Sequence, residues 1–135
     1  MTQTGQCLCG AVRYTLDGEP MVTAICHCTN CQRQSGAAFS VNLMAAEGQL
    51  SIEGDMLVFE DQADSGNVVY RKFCGRCGSP ILSALSGMPG VVALKAGTLD
   101  DPSTVAPSVQ VFCDSKQNWI EFPALIAFEK SPPSA

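Results

Sequence analysis

Three thiols fall within six residues, Cys26-His27-Cys28-Thr29-Asn30-Cys31. The spacing Cys-x-Cys-x-x-Cys lets all three sulfurs reach one metal ion. A closed structural zinc site uses four protein ligands, whereas a catalytic zinc keeps one position for water or substrate. This stretch is one ligand short of closure. An unperturbed thiol, with a pKa of about 8.5, is mostly protonated at neutral pH. Zinc deprotonates a coordinated thiol outright. An open position here would hold a substrate thiol as thiolate, or polarise a carbonyl as a Lewis acid.

Cys74-Gly75-Arg76-Cys77-Gly78 has the spacing of a zinc knuckle. Glycine admits the positive φ angles that turn backbone amides toward sulfurs. A thioredoxin-like redox pair would need a strand–helix setting, and this motif lies between two strand-like runs. A knuckle supplies only two ligands. Cys7 and Cys9 are the expected partners, because residues two apart in an extended strand face the same side. The resulting four-cysteine site would staple the N-terminal strand to the Cys74 hairpin and contribute folding free energy directly. Other pairings of these seven clustered thiols stay open.

Cys113 is the remaining thiol. It shares an expected strand face with Val109 and Val111, which predicts a buried apolar position. The sharper alternative makes it the fourth ligand of the three-cysteine site. His27 is the single histidine. In an extended Cys26–Cys28 segment it points away from the cysteine side, as a surface or supporting residue rather than a ligand. The alternative is a proton shuttle. Arg33 is the first candidate cation for an anionic substrate, followed by Lys95 and Lys116. Glu60, Asp61 and Asp64 read as solvated charges.

The elements that must position these residues are mostly strands. Gln6–Leu16 alternates in character. Val22–Cys26, Ala38–Met44, Met56–Glu60, Val68–Phe73, Pro80–Leu85, Val91–Ala96 and Val109–Cys113 are short runs rich in β-branched or aromatic residues, and Leu125–Phe128 is a candidate last strand. Gly, Pro, Asp and Ser punctuate them. One segment reads as helical: Thr29 or Asn30 caps a short helix through Gln34, and Gly36 ends it.

The chain of 135 residues fits one domain, expected over residues 1–130, with a disordered tail over 131–135. No apolar run approaches the roughly 18–20 residues of a membrane span. The first residues show neither a basic region nor an apolar stretch, so no signal peptide is expected. The expected compartment is the cytoplasm, where thiols stay reduced and eight cysteines read as metal ligands rather than disulfides. Formal net charge is −5 and no Lys/Arg run occurs, which argues against nucleic-acid binding. A four-thiolate zinc adds two negative charges and a three-thiolate zinc one, taking the chain from −5 to −8. An anionic thiol then needs local cations.

The segments Gly5-Gln6-Cys7-Leu8-Cys9-Gly10-Ala11-Val12-Arg13-Tyr14, Cys26-His27-Cys28-Thr29-Asn30-Cys31-Gln32-Arg33 and Phe73-Cys74-Gly75-Arg76-Cys77-Gly78 resemble the glutathione-dependent formaldehyde-activating enzyme (GFA) family. So does Val109–Trp119, with Ser115-Lys116 and Trp119. The resemblance implies a mainly β fold, a β-tent of small antiparallel sheets around a structural zinc. It assigns that zinc to Cys7, Cys9, Cys74 and Cys77, and a second, catalytic zinc to Cys26, Cys28 and Cys31. It implies a carbon–sulfur lyase that joins glutathione and formaldehyde in S-(hydroxymethyl)glutathione. The competing expectations are a non-catalytic zinc-binding module and a zinc hydrolase of another small electrophile.

Overall fold

The computed structural model describes residues 1–63 and 65–132; Asp64 and the tail positions 133–135 lie outside the described residues. In chain order the strands are β1 (Thr2–Gln6), β2 (Arg13–Asp17), β3 (Val22–Cys26), β4 (Ser40–Ala46), β5 (Leu50–Glu53), β6 (Met56–Gln62), β7 (Val68–Cys74), β8 (Pro80–Leu85), β9 (Val91–Lys95), β10 (Val109–Val111) and β11 (Ile126–Ala127). One α-helix, α1 (Thr29–Ser35), sits between β3 and β4. The mainly β expectation is met. Two sheets form: β1-β2-β5, and an eight-stranded sheet in the order β11-β10-β3-β4-β9-β8-β7-β6. Pairing is antiparallel except for β10, which runs parallel to both β3 and β11.

Alternation along the strands divides the large sheet into two unlike faces. Leu43, Leu94 and Leu82 are register partners across β4, β9 and β8. Their face packs against Val12, Tyr14 and Leu16 of the N-terminal hairpin, and all six are buried in one hydrophobic cluster. The residues between them point the other way. Asn42 pairs with Lys95, Ala93 with Ser83, and Ser83 with Arg71, so a polar row crosses the opposite face.

Three local expectations are corrected. Cys7 and Cys9 are not in an extended strand: β1 ends at Gln6, and residues 7–12 form a tight turn. Its hydrogen bonds run from Gly10 N to the Cys7 carbonyl (3.1 Å) and from Cys7 N to the Val12 carbonyl (3.0 Å). Gly10 makes this reversal at φ +80°, a conformation open to a residue without Cβ. Cys113 is not in the strand with Val109 and Val111. The chain leaves β10 at Phe112, whose φ of +55° redirects it, and Cys113 opens a 3₁₀ turn, half-buried. The cap of α1 is Cys28 rather than Thr29 or Asn30, while Gly36 closes the helix at φ +71° as expected. No helix among the described residues is long and apolar enough to cross a membrane.

Leu94 is fully buried at the centre of the apolar face. Leu94→Ala is expected to cost about 2–5 kcal/mol of unfolding free energy, as a large-to-small core change does. Urea denaturation of the metal-loaded protein measures it, and a loss well under 1 kcal/mol would contradict this core placement.

Candidate metal centres

Two groups of cysteine sulfurs converge among the described residues: Cys7, Cys9, Cys74 and Cys77, and separately Cys26, Cys28 and Cys31. Within each group the sulfurs lie within 4.8 Å of one another, and all eight cysteines are free thiols.

The four-cysteine group is built from two turns of similar design. Gly10 follows Cys9 and Gly78 follows Cys77, both at φ +80°. Backbone amides then point at sulfur: Val12 N donates to Cys7 Sγ (3.3 Å) and Arg76 N to Cys74 Sγ (3.4 Å). Ser79 joins the turns, accepting from Leu8 N (3.0 Å) and contacting Cys77 Sγ (3.2 Å). The Ser79 contacts pull the Cys77 thiol down to about 5. Burial works against ionising Cys7, but the Val12 amide and the neighbouring thiols outweigh it and lower its pKa. The Cys7–Cys9 and Cys9–Cys74 sulfur distances are 3.6 and 3.8 Å. Tetrahedral zinc with bonds of about 2.3 Å spaces its sulfurs by about 3.8 Å. The donor set and spacing therefore fit a metal ion and are consistent with zinc.

The three-cysteine group sits where β3 passes into α1. Cys26 ends the strand, Cys28 caps the helix by accepting from Cys31 N (3.2 Å), and Cys31 lies in the first turn. One residue is thus both cap and candidate ligand. Cys26 and Cys31 are buried and Cys28 is half-buried. Contacts with the Cys26 and Cys28 sulfurs, helped by the Ser40 hydroxyl and the Lys95 charge, hold the Cys31 thiol far below its ordinary range. The same contacts, with burial, push Cys26 up.

Cys31 faces the polar row of the large sheet. Arg71 Nη1 and Nη2 stand 3.9 and 4.0 Å from its sulfur. Asp61 holds the guanidinium from behind, its Oδ2 accepting from Nε at 2.8 Å, and Asp61 also accepts two hydrogen bonds from Asn30 Nδ2 on α1. Burial opposes the Arg71 charge, but Asp61 and the Cys31 sulfur outweigh it and raise the pKa. Lys95 donates to Asn42 Oδ1 (2.8 Å); burial lowers its pKa against the pull of the three cysteines. Ser83 is buried beside Arg71, and its hydroxyl has no hydrogen-bond partner among the described residues.

The remaining candidates fall elsewhere. Arg33 is exposed in the last turn of α1, with no ion pair among the described residues. Lys116 ends the 3₁₀ turn at Cys113–Ser115. Cys113 joins neither group, and its sulfur contacts the Gln110 carbonyl at 3.8 Å. His27 is not at the surface but fully buried between Phe39 and Phe122. Its Nε2 meets Gln110 Oε1 (2.9 Å), while Nδ1 has no partner among the described residues. Gln32 latches the site by donating to the His27 carbonyl (2.8 Å) and the Ser115 carbonyl (3.0 Å). Glu60 is exposed as expected, whereas Asp61 is a structural anion. Arg71 and Ser83 were not anticipated. The available signal was Arg71 itself, a charge two residues from Val69 on the inward side of a strand.

A family model described as glutathione-dependent formaldehyde-activating enzyme matches residues 2–115. A solved crystal structure of a Rhodobacter sphaeroides protein is similar in fold, with a TM-score of 0.57 and 18% sequence identity, covering 93% of this chain and 98% of that one. No curated protein matches the chain.

Removing the carboxylate behind Arg71 leaves a buried cation with only sulfur for company. Asp61→Asn is expected to lower the unfolding free energy by about 3–5 kcal/mol, the cost of breaking a buried pair at one partner. Asn30→Ala, on the exposed side of the same carboxylate, is expected to cost about 1 kcal/mol or less. Equal effects in denaturant titrations would show that Asp61 does not hold Arg71.

Proposed function

The chain belongs to the glutathione-dependent formaldehyde-activating enzyme family, and from that premise we propose that it is a zinc-dependent carbon–sulfur lyase, one that activates a small glutathione-like thiol for addition to an aldehyde or release from one. The observation that carries this reading is an asymmetry. Cys7, Cys9, Cys74 and Cys77 supply a full set of four ligands, whereas Cys26, Cys28 and Cys31 have no fourth His, Cys, Asp or Glu within reach among the described residues. We assign the first set to a structural zinc and the second to a catalytic one, within one zinc-binding domain over residues 1–130. The free thiols suit a reducing, cytoplasmic compartment.

Zinc at the three-cysteine site would supply one further coordination position and the Lewis acidity that ionises a thiol and polarises a carbonyl. The rest falls to this chain's own side chains. Cys26, Cys28 and Cys31 would hold the ion from a strand end, a helix cap and the first helical turn, three positions that the backbone fixes. Three thiolates around a divalent cation leave one negative charge, which Lys95 offsets, while Arg71 and Asp61 balance each other. The centre is then neutral before an anionic thiol enters, despite the acidic protein around it. In addition, the substrate sulfur forms a bond to the aldehyde carbon as the carbonyl π pair moves to oxygen, which takes a proton. The reverse step expels the thiolate. Gln32 keeps α1 and residue Ser115 together around the site.

Native mass spectrometry is expected to find two zinc ions per chain, with the three-cysteine ion leaving first under mild chelation, since a site with an open position binds less tightly. Cys28→Ala is expected to retain a single zinc; a count of two would break the metal assignment. NMR exchange between glutathione, formaldehyde and S-(hydroxymethyl)glutathione should be faster with the wild-type protein than without it. A rate equal to background, with both zinc ions present, would refute the named activity.

A further inference from the structure

One face of the large sheet carries buried hydrogen-bond donors that the described residues satisfy only in part. Arg71 and Ser83 are directly opposite each other on β7 and β8. Ser83 in turn opposes Ala93 on β9, and Lys95 lies two residues further along the same face. Arg71 is 5% exposed and Ser83 4%. The Ser83 hydroxyl has no hydrogen-bond partner among the described residues. Arg71 commits Nε to Asp61, and its two Nη atoms each donate one long hydrogen bond to the Cys31 sulfur, at 3.9 and 4.0 Å. A guanidinium carries five N–H groups and an ammonium three. The outer edge of the Arg71 fork is therefore held by long contacts to sulfur alone, and among the described residues Lys95 gives one side-chain hydrogen bond, to Asn42. Leaving a buried donor unsatisfied costs about 1–3 kcal/mol, so such a cluster calls for an acceptor.

The chemistry of the acceptor follows from the donors. Two of the three groups are cations, and the carboxylate that pairs with them among the described residues, Asp61, is already taken by Arg71 Nε and Asn30. Arg71 is as near to Cys31 Sγ as the sulfurs of that group are to one another. A group attached close to a substrate sulfur in this centre therefore meets the guanidinium fork, which matches paired oxygen acceptors.

We propose that Arg71, Lys95 and Ser83 form an oxyanion subsite beside the three-cysteine centre, one that receives an anionic oxygen carried one or two carbons from the substrate sulfur. This rests on the open-position reading above and adds a substrate class to it. Two sources carry such an oxygen. One is the alkoxide left when a thiolate adds to an aldehyde: the carbon–sulfur bond forms, the carbonyl π pair moves to oxygen, and a proton from solvent completes the thiohemiacetal. The other is the carboxylate of a short mercapto acid.

Two thiols separate the sources on cobalt(II)-loaded protein, where sulfur-to-metal charge-transfer absorption reports binding without turnover. Mercaptoacetate carries the carboxylate, and 2-mercaptoethanol is its neutral counterpart. A carboxylate subsite predicts mercaptoacetate binding about tenfold tighter, the scale of one charge-assisted hydrogen bond. Arg71→Gln should abolish that preference, and Lys72→Gln, on the opposite face of the same strand, should keep it. Ser83→Ala, which removes only an unpartnered hydroxyl, should reduce the preference about threefold and keeps the test readable if Arg71→Gln fails to fold. An alkoxide subsite predicts equal binding of the two thiols, with Arg71→Gln lowering kcat for 2-mercaptoethanol plus formaldehyde at unchanged KM. If neither thiol alters the absorption, the open-position reading fails and takes the subsite with it. If both bind alike and neither variant changes affinity or kcat, the subsite alone is overturned.

Discussion

Four sulfurs drawn from two distant turns must meet at one point, and the arrangement of the molecule follows from that meeting. Cys9 and Cys74 are 65 residues apart in sequence and 3.8 Å apart at sulfur. One turn belongs to the N-terminal hairpin, the other to the β7–β8 hairpin of the large sheet. Bringing them together lays Val12, Tyr14 and Leu16 across Leu43, Leu82 and Leu94 and so closes the hydrophobic core. Each turn needs a residue at φ +80° just after its second cysteine, and Gly10 and Gly78 provide it. A metal ion at this point would tie the ends of long loops, where ordering entropy is otherwise hardest to recover.

With one face of the large sheet given to the core, its other face is free for chemistry. There the strands carry two polar pairs, Asn42 with Lys95 and Ser83 with Arg71, offset by two residues along β9, and Arg71 reaches Cys31 of α1. This arrangement is expensive in stability. A buried guanidinium opposes folding unless it is paired; Asp61 pairs one edge of Arg71, and the other edge makes long contacts with the Cys31 sulfur. Such weakly engaged donors, with the lone Ser83 hydroxyl beside them, are the kind of local inconsistency that folded proteins keep at working sites. The same groups account for the electrostatics of an acidic chain whose proposed substrate is also an anion. Neutralisation happens locally, at the cysteines, not through the overall field.

The cysteine grouping was legible in the sequence because ligand spacing is a local property. Cys26, Cys28 and Cys31 reach one point through a strand end and one helical turn, and Cys74 and Cys77 through one glycine turn. Most strands were legible for the same reason: Val22–Cys26 and Pro80–Leu85 have the expected bounds. Cys7 and Cys9 converge as expected but by a different route. The alternating pattern of Gln6–Leu16 hid a turn whose signal was Gly10 alone. Asp61 was misread because a charge on an edge strand looks solvated until a cross-strand arginine claims it.

The sequence by itself determined that the protein is mainly β and that Cys26, Cys28 and Cys31, and likewise Cys74 and Cys77, can each share an ion, while the pairing of the runs and the place of Cys113 stayed open. Those follow from spacing and period, which need no knowledge of distant contacts. Only the tertiary structure decided what surrounds the incomplete group. Cys113 turns away because Phe112 adopts a left-handed backbone, and His27 is buried among aromatic rings from the segment before β11 and the loop before β4. Arg33, beside the motif in sequence, is exposed, whereas Arg71, 40 residues from Cys31, stands 3.9 Å from its sulfur. Sheet register sets which side chains share a face, and register across eight strands is settled by all of them packing at once.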